Sequence, residues 1–185
     1  MRNPFIIGQR VYLRGLEKED LKSNYFQWAN DPEVTYYLEM GWRPNNYDLL
    51  EEEYFRTIRS QNDIVFVIVD KETDRLIGSC GLYSINFIAR KAEYRIIIGE
   101  KDYWDKGIGT EVTKLVIAYA FEKLNLNKVW LGVNAENIRA IKCYEKAGFK
   151  REGVLRQEIF RNNRYYDAIR MSILREEYEK SKKIG

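Results

Sequence analysis

Hydrophobic periodicity along the 185 residues of this chain predicts a mixed α/β domain. Some segments alternate apolar and polar residues, or stay apolar over a few positions, as strands do. Others repeat their apolar residues every three or four positions, as helices do. The segments follow the order β-α-α-β-β-β-α-β-α-β-β, in which helices and strands do not alternate strictly. We therefore expect a mixed central sheet of about six or seven strands with about four helices, and not a doubly wound fold.

The first quarter of the chain predicts one strand and two helices. Residues 10–16 alternate as a strand, and residues 17–31 follow as a helix that ends before Pro32. Residues 47–61 form a second helix. Acidic side chains lie near the start of that helix, where the helix dipole favours negative charge.

The middle of the chain predicts a hairpin, a central strand and a long helix. The apolar runs 63–70 and 76–85 flank the polar segment 71–75 and indicate a β-hairpin. Residues 91–99 form the next strand, which we expect near the centre of the sheet. Residues 107–124 repeat their apolar side chains at helical spacing and predict an amphipathic helix.

The last part of the chain alternates strands with one short helix. Residues 128–133 are a strand, and residues 137–147 are a helix that Gly148 ends as a C-terminal cap. Two final strands, 149–156 and 164–174, complete the sheet. We expect one domain with its core at about residues 8–174, followed by a C-terminal tail at residues 175–185.

Composition excludes several classes of function. The chain has no histidine, so a Ser-His-Asp triad, a Cys-His pair and a histidine metal cage are ruled out. A general base must then be a carboxylate, a tyrosine or water. Two cysteines are too few and too far apart for a disulfide framework or a zinc site. A formal net charge of +3 without a lysine- or arginine-rich block argues against a nucleic-acid partner.

Neither a membrane span nor a signal peptide is predicted. The apolar run at residues 64–69 is far shorter than the roughly 20 residues that cross a bilayer. The N-terminus has no apolar core followed by small residues. We expect a cytoplasmic protein with no membrane partner, and a homo-oligomer stays open.

The sequence YWDKGIGTEV, residues 103–112, places two glycines one residue apart at the start of a predicted helix. A dinucleotide-binding fingerprint requires a third glycine where Val112 stands. A P-loop requires a lysine followed by Ser or Thr after its last glycine, where this chain has Thr110-Glu111. A pyrophosphate held by backbone N–H groups at the helix start remains. A turn that is relaxed by Gly107 and Gly109, without a ligand, explains the pattern equally well.

Two motifs in the second half of the chain are spaced as in a known enzyme family. The sequence WDKGIG, residues 104–109, is similar to the signature Gln/Arg-x-x-Gly-x-Gly/Ala, with Trp104 in place of Gln or Arg. The sequence NAENIRAIKCYEKAGF, residues 134–149, supplies the Asn, Ala, Tyr and Gly-Phe of a second element. Together they resemble the GNAT superfamily of acetyl-CoA-dependent N-acetyltransferases. Residues 152–178 further resemble its subgroup of ribosomal-protein-alanine and spermidine N-acetyltransferases.

The resemblance implies a GNAT fold in which strands four and five splay apart and hold acetyl-CoA, the co-substrate, in the gap. The pantetheine arm would pair with the backbone of strand four, and the pyrophosphate would lie on the N–H groups of the glycine turn. Lys142 and Lys146 would face a phosphate or only solvent, and no metal is implied. The cofactor-binding residues implied in this way are Ile96, Ile97, Ile98, Trp104, Lys106, Gly107, Ile108, Gly109, Thr110, Asn137 and Lys146.

The implied reaction is direct transfer of the acetyl group to a neutral primary amine. Tyr144 falls at the position of the family's general acid, which protonates the departing sulfur. A phenol with an ordinary pKa of about 10 is protonated at neutral pH, which suits that role. A backbone N–H near Ile98 would stabilise the tetrahedral oxyanion.

Two interpretations of Glu93 bear on the general base. Some protein-terminus acetyltransferases carry a glutamate on strand five, where this chain has Gly132. Glu93 on strand four is the preferred candidate, acting directly or through water. The alternative is an exposed carboxylate that pairs with Lys91 or Arg95, and the two interpretations have equal weight.

The acceptor amine stays open among a polyamine, a protein N-terminus and an amino sugar. Two acidic positions of the spermidine enzymes are Gly81 and Ser84 here, which weakens polyamine recognition, and Glu39 alone is kept from an acidic loop. Aromatic residues would stack on the acceptor or belong to the core. The candidate substrate-binding residues are Trp28, Tyr36, Tyr37 and Glu39.

A second hypothesis is a non-catalytic module that binds CoA or a partner protein on the same fold. Tyr144 and both glycines argue against it, because a binding-only protein has no need of the acid. Nucleic-acid binding is a weaker third hypothesis.

Overall fold

The structure, a computed structural model, describes residues 1–38 and 40–184. The strands are β1 (Ile6–Ile7), β2 (Val11–Gly15), β3 (Ile64–Asp70), β4 (Leu76–Asn86), β5 (Lys91–Ile98), β6 (Lys128–Asn134), β7 (Lys150–Arg161) and β8 (Arg164–Leu174). The α-helices are α1 (Tyr25–Trp28), α2 (Tyr47–Arg59), α3 (Ile108–Glu122), α4 (Ile138–Lys146) and α5 (Arg175–Ile184). Short 3₁₀ helices lie at Lys18–Lys22 and Lys101–Tyr103.

The eight strands form a mixed sheet in the order β1-β2-β3-β4-β5-β6-β8-β7. Strands β5 and β6 run parallel, since α3 connects them as a crossover, while β4–β5 and β6–β8 are antiparallel. The β7–β8 hairpin closes through Asn162 and Asn163, both with positive φ (49° and 59°), as a two-residue hairpin turn requires.

One face of the sheet packs against α3 and α4 and forms the main core. Apolar side chains of α3 such as Val112, Val116 and Phe121 are fully or almost fully buried there. They pack with inward-facing strand residues, among them Tyr94 and Leu131. Because side chains of a strand alternate, Glu93, Arg95 and Ile97 point to the opposite face.

The opposite face carries the segment that contains α1 and α2. Tyr25 of α1 is within hydrogen-bonding reach of Ser79 on β4, and burial raises its pKa to about 12. Ser79 pairs with Ile97 across β4 and β5, so Tyr25 lies on the face to which Glu93 points.

The predicted mixed α/β fold with a splayed strand pair is confirmed, and the predicted strands four and five are β5 and β6 of the structure. The structure has more elements than the sequence predicts. The extra strand is β1, whose two residues are too few to show periodicity. The predicted C-terminal tail is the helix α5, which packs Tyr178 against Phe121 of α3 at 5.2 Å between ring centroids.

The single helix predicted at residues 17–31 is wrong. The segment instead forms the 3₁₀ helix Lys18–Lys22 and the four-residue α1. Ser23 separates them in an extended conformation, and its hydroxyl donates to the carbonyl oxygen of Asp20 at 2.6 Å. A side chain that bonds the local backbone in this way competes with the helical hydrogen bonds.

No helix of the described residues is long and apolar enough to cross a membrane.

Candidate active site

A gap opens between the parallel strands β5 and β6. Their pairing covers only Lys91–Glu93 of β5 and Lys128–Trp130 of β6. Within the described residues, no pair joins the two strands beyond Glu93 and Trp130, although both continue for several residues. One edge of each strand therefore faces the gap without a neighbouring strand.

The backbone of β5 supplies hydrogen-bonding groups to this gap. The N–H of Gly99 donates to Ile77 on β4 at 2.9 Å, which makes Ile98 and Gly78 a non-hydrogen-bonded pair. The N–H and carbonyl of Ile98 consequently point away from β4 and into the gap, and those of Ile96 do the same two residues earlier. Ile97 is the exception among the three predicted positions, because its backbone faces β4.

Trp104 connects the loop after β5 to the end of that strand. Its indole N–H donates to the carbonyl oxygen of Ile98 at 2.8 Å. The guanidinium of Arg139, from α4, lies over the indole ring at 4.0 Å from its centroid. Trp104 therefore occupies the carbonyl of Ile98, one of the two groups of this residue that face the gap, and the N–H of Ile98 stays available.

The two glycines have different structural reasons. Gly107 precedes α3 with φ of 77°, a left-handed backbone conformation that residues other than glycine rarely adopt. Gly109 lies inside α3, where an added Cβ would be 3.2 Å from the sulfur of Cys143 on α4. One glycine thus permits the turn, and the other permits the close approach of α3 and α4.

The turn leaves a set of backbone donors free. The first N–H that bonds within α3 is that of Glu111, which donates to Gly107. The preceding N–H groups of Ile108, Gly109 and Thr110 have no acceptor among the described residues, as expected for a helix N-terminus. The side chain of Ile108 is buried, so only its backbone is offered to a ligand.

Arg10, directly before β2, contacts this turn and was not predicted as part of the site. It donates to the carbonyl oxygen of Lys106 at 2.6 Å and forms an ion pair with Glu111 at 3.1 Å. The Lys106 ammonium itself lies over the ring of Tyr103 at 5.9 Å. The sequence separation of about one hundred residues between Arg10 and Glu111 hides this contact from pattern analysis.

The start of α4 lies beside the turn. Asn137 caps the helix, because its side-chain oxygen accepts the N–H of Ala140 at 3.1 Å. Its amide nitrogen remains a donor. Lys142 and Lys146 are exposed on α4, one turn apart.

Tyr144 is held inside the site by other aromatic rings. It is buried and packs edge-on against Tyr94 at 6.4 Å and against Phe149 at 5.9 Å between ring centroids. No described residue is a hydrogen-bond partner of its hydroxyl. Burial raises the pKa of Tyr144 above its ordinary value, since it disfavours the charged phenolate. Tyr94, in turn, is fixed by a hydrogen bond of 3.1 Å between its hydroxyl and that of Thr113.

Glu93 is part of an ion pair. Its two oxygens accept from the Nε and the Nη2 of Arg95 at 3.0 and 2.9 Å. The Arg95 guanidinium also lies over the ring of Tyr83, at 4.9 Å from its centroid. Of the two alternatives for Glu93, the structure contains the ion pair, and its role as a base stays a prediction.

The four predicted substrate-binding residues lie in different surroundings. Trp28 is only 5% exposed, its indole N–H donates to Glu100 at 2.9 Å, and its ring packs on Gly99, so stacking on an acceptor does not fit its position. Tyr36 and Tyr37 contact each other edge-on at 4.8 Å, and Tyr36 is partly exposed. Glu39 lies outside the described residues.

The arrangement combines an unpaired strand edge, free backbone N–H groups at a helix start and a buried phenol. The gap can take an extended chain that pairs with the backbone of β5, and the free N–H groups can donate to an anion. The Tyr144 phenol packs on Tyr94, next to that edge. This combination suits a ligand with a phosphate at one end and a reactive group at the other.

Comparisons with known proteins agree with this geometry. The family described as Acetyltransferase (GNAT) domain matches residues 10–150. Spermidine N(1)-acetyltransferase of Vibrio cholerae serotype O1 is 36% identical over 172 residues, covering 93% of this chain and 97% of its own length. The enzyme of the same name from Escherichia coli K12 is 39% identical over 172 residues, covering 91% and 88%.

A solved structure is similar over the same length. Spermidine N-acetyltransferase from Vibrio cholerae, in complex with CoA and spermine, superposes with a TM-score of 0.84 at 36% identity and covers 92% of this chain and 98% of that one. The fold, the family match and the full-length similarity lead to one assignment. The chain belongs to the GNAT family of acetyltransferases.

Proposed function

We propose that the protein transfers the acetyl group of acetyl-CoA directly to a primary amine of a polyamine, with Tyr144 as the general acid. The observation that carries the proposal is the position of the Tyr144 hydroxyl. The Tyr144 side chain is buried, its hydroxyl has no hydrogen-bond partner among the described residues, and its ring packs next to the unpaired edge of β5. A phenol O–H that is free in this place can donate to a bound thioester sulfur.

The cofactor would bind along the gap. The pantetheine arm would pair with the N–H and the carbonyl of Ile96, which face the gap. The Ile98 carbonyl, which already accepts from Trp104, would accept a second hydrogen bond, and the Ile98 N–H would remain for the oxyanion. The diphosphate would accept from the N–H groups at residues 108–110, and the Asn137 amide would donate to the same cofactor. Ile97 would contribute its position in the strand and no backbone bond.

The proposed reaction passes through a tetrahedral intermediate. The lone pair of the neutral amine attacks the thioester carbonyl carbon, and the carbonyl oxygen becomes an oxyanion that the Ile98 N–H stabilises. The carbon–sulfur bond then breaks, the thiolate leaves, and Tyr144 gives it a proton. The ammonium form of the amine first gives one proton to Glu93, directly or through water, which frees its lone pair. The nitrogen loses its second proton to solvent as the intermediate collapses to the amide, and Tyr144 takes a proton back from solvent.

The side of the sheet that carries α1 and α2, to which Glu93 points, is here called the acceptor face, and it has the chemistry to hold an ammonium chain. Tyr25 and Tyr83 lie close to the carboxylate of Glu53, which contributes to the raised pKa of both phenols after burial. The pair of Glu93 and the Tyr83 ring already binds one cation, the Arg95 guanidinium. Aromatic rings and carboxylates are the groups that bind amines in water. The names of the similar enzymes support a polyamine over a protein N-terminus or an amino sugar.

The proposal is tested by an acceptor panel. The protein is incubated with acetyl-CoA and spermidine, spermine, a diamine, an amino sugar or a peptide with a free N-terminus, and thiol release and acetylated product are measured. We expect turnover with the polyamines and little with the sugar or the peptide. Binding of acetyl-CoA without turnover of any amine would instead favour a non-catalytic module.

A further inference from the structure

Arg139 lies beside the glycine turn without a carboxylate partner, and we propose that it binds the diphosphate of coenzyme A. The inference rests on the proposed function. In the part of the chain that the structure describes, no carboxylate forms an ion pair with Arg139. The two nearest glutamates in sequence are engaged elsewhere, Glu136 with Arg164 at 2.7 Å and Glu145 with Arg151 at 3.0 Å.

The backbone geometry directs Arg139 toward the turn. Cys143, one helical turn later on the same face of α4, contacts the first turn of α3: its sulfur accepts from the Thr110 hydroxyl at 3.5 Å and lies against Gly109. Arg139 continues this face toward the loop that precedes α3. Its guanidinium lies over Trp104 of that loop, and the backbone N–H groups without an acceptor in the described chain begin four residues later, at Ile108.

Stacking on Trp104 prepares the guanidinium for an anion. The central carbon of the guanidinium is 4.0 Å from the centroid of the indole ring, and no described carboxylate accepts from its N–H groups. A guanidinium in a fixed plane binds phosphate oxygens through two parallel hydrogen bonds. The Trp104 ring is itself anchored by the hydrogen bond to Ile98, so the support under Arg139 is rigid.

This arrangement explains the departure from the family signature. Trp104 stands where the signature has Gln or Arg, so the loop itself lacks a cationic or amide side chain at this position. Arg139 brings a cation to the same place from α4. The site thus keeps a cation beside the turn although the loop position has changed.

The test measures equilibrium binding of CoA and of 3′-dephospho-CoA to the full-length protein by calorimetry. Arg139→Gln removes the charge and keeps much of the side-chain length. We expect the Kd of both ligands to rise by about 10- to 100-fold, the usual range for a lost charged hydrogen bond. The turnover number at saturating acetyl-CoA should stay within about twofold, because the reacting atoms are not touched.

A matched control and two contrary outcomes complete the experiment. Arg151→Gln removes an arginine charge near the other end of α4 and should leave both Kd values unchanged. An Arg139→Gln protein that binds CoA as tightly as wild type overturns the inference. A loss that affects CoA but spares 3′-dephospho-CoA overturns the diphosphate assignment. Failure of the wild-type protein to bind CoA would instead refute the proposed function.

Salt provides a readout that a packing role would not change. The contribution of a charged contact shrinks as ionic strength rises. The ratio of the Kd of Arg139→Gln to the Kd of wild type should therefore decrease as the salt concentration is raised from about 0.05 M to about 0.5 M. A ratio that is independent of salt would assign Arg139 to packing on Trp104 and would contradict its contact with the diphosphate.

Discussion

Glu93 on β5 and Tyr144 on α4 lie on opposite faces of the sheet, with the gap between β5 and β6 beside them. Tyr144 packs against Tyr94, and Tyr94 is the residue that follows Glu93, so the two strand side chains point in opposite directions. An acetyl group held in the gap would be reached by the amine from one face and by the acid from the other. Such a separation keeps the proton taken from the amine apart from the proton given to the sulfur.

Tyr144→Phe tests the acid directly. The substitution removes only the hydroxyl, and the ring packing with Tyr94 and Phe149 is retained. We expect the turnover number to fall by about 100- to 10,000-fold, the range for loss of a general acid, with the KM for acetyl-CoA within about twofold. Tyr119→Phe on α3 is a control that removes a phenol away from the gap. Equal turnover in Tyr144→Phe and wild type would remove Tyr144 from the chemistry.

The pH profile follows from the raised pKa of Tyr144. An acid with a raised pKa stays protonated to higher pH, so the acid does not limit the rate below about pH 10, the ordinary value for a phenol. The amine must lose a proton before it attacks, and its own pKa is near 10. We therefore expect kcat/KM, measured with a polyamine from about pH 7 to 10, to rise throughout. A descending limb centred below pH 9 would identify a different acid.

Glu93→Gln distinguishes a base from a partner of Arg95. A lost base should lower kcat/KM by about 10- to 100-fold at pH 7, and the deficit should shrink toward pH 10 as more of the amine becomes neutral without help. A purely structural role predicts a deficit that does not change with pH. Glu152→Gln serves as the matched control, because it neutralises a glutamate that pairs with Lys128 away from the acceptor residues.

Local spacing was sufficient to predict the helices that carry the candidate residues. Gly107 and Asn137 directly precede α3 and α4, and Gly109 and Tyr144 lie within them. The roles of Asn137 and Tyr144 came from the family resemblance and stay predictions. The splay between β5 and β6 was available only through the family resemblance. No periodicity shows where the pairing of two strands ends.

Contacts between distant segments were not predictable. Trp28, Tyr36 and Tyr37 are aromatic residues of one segment, and the sequence does not distinguish them. Trp28 is nevertheless buried, because its indole N–H donates to Glu100 and its ring packs on Gly99, both more than 70 residues later in the chain. The same limit applies to Arg10, whose partners come from the turn before α3.

The buried ion pair between Arg14 of β2 and Asp20 connects the segment before α1 to the sheet, and its disruption gives the last prediction. Both side chains are 6% exposed, and two hydrogen bonds of 2.7 Å join them. Asp20 belongs to the 3₁₀ helix before α1, which carries Tyr25 and Trp28. The hydrogen bond to Asp20 raises the pKa of Arg14. A guanidinium is not deprotonated in proteins even without a carboxylate partner, so Arg14 stays charged when Asp20 is removed.

Asp20→Ala should therefore lower the free energy of unfolding by about 3–5 kcal/mol, because it leaves a buried charge without a partner. The double variant Arg14→Met with Asp20→Leu should recover most of this loss, since both charges are then absent. Urea unfolding measures both, with Glu176→Ala on the exposed α5 pair as a control that leaves stability unchanged. If Asp20→Ala and the double variant are equally unstable, the loss comes from packing in this segment and not from the unpaired Arg14 charge.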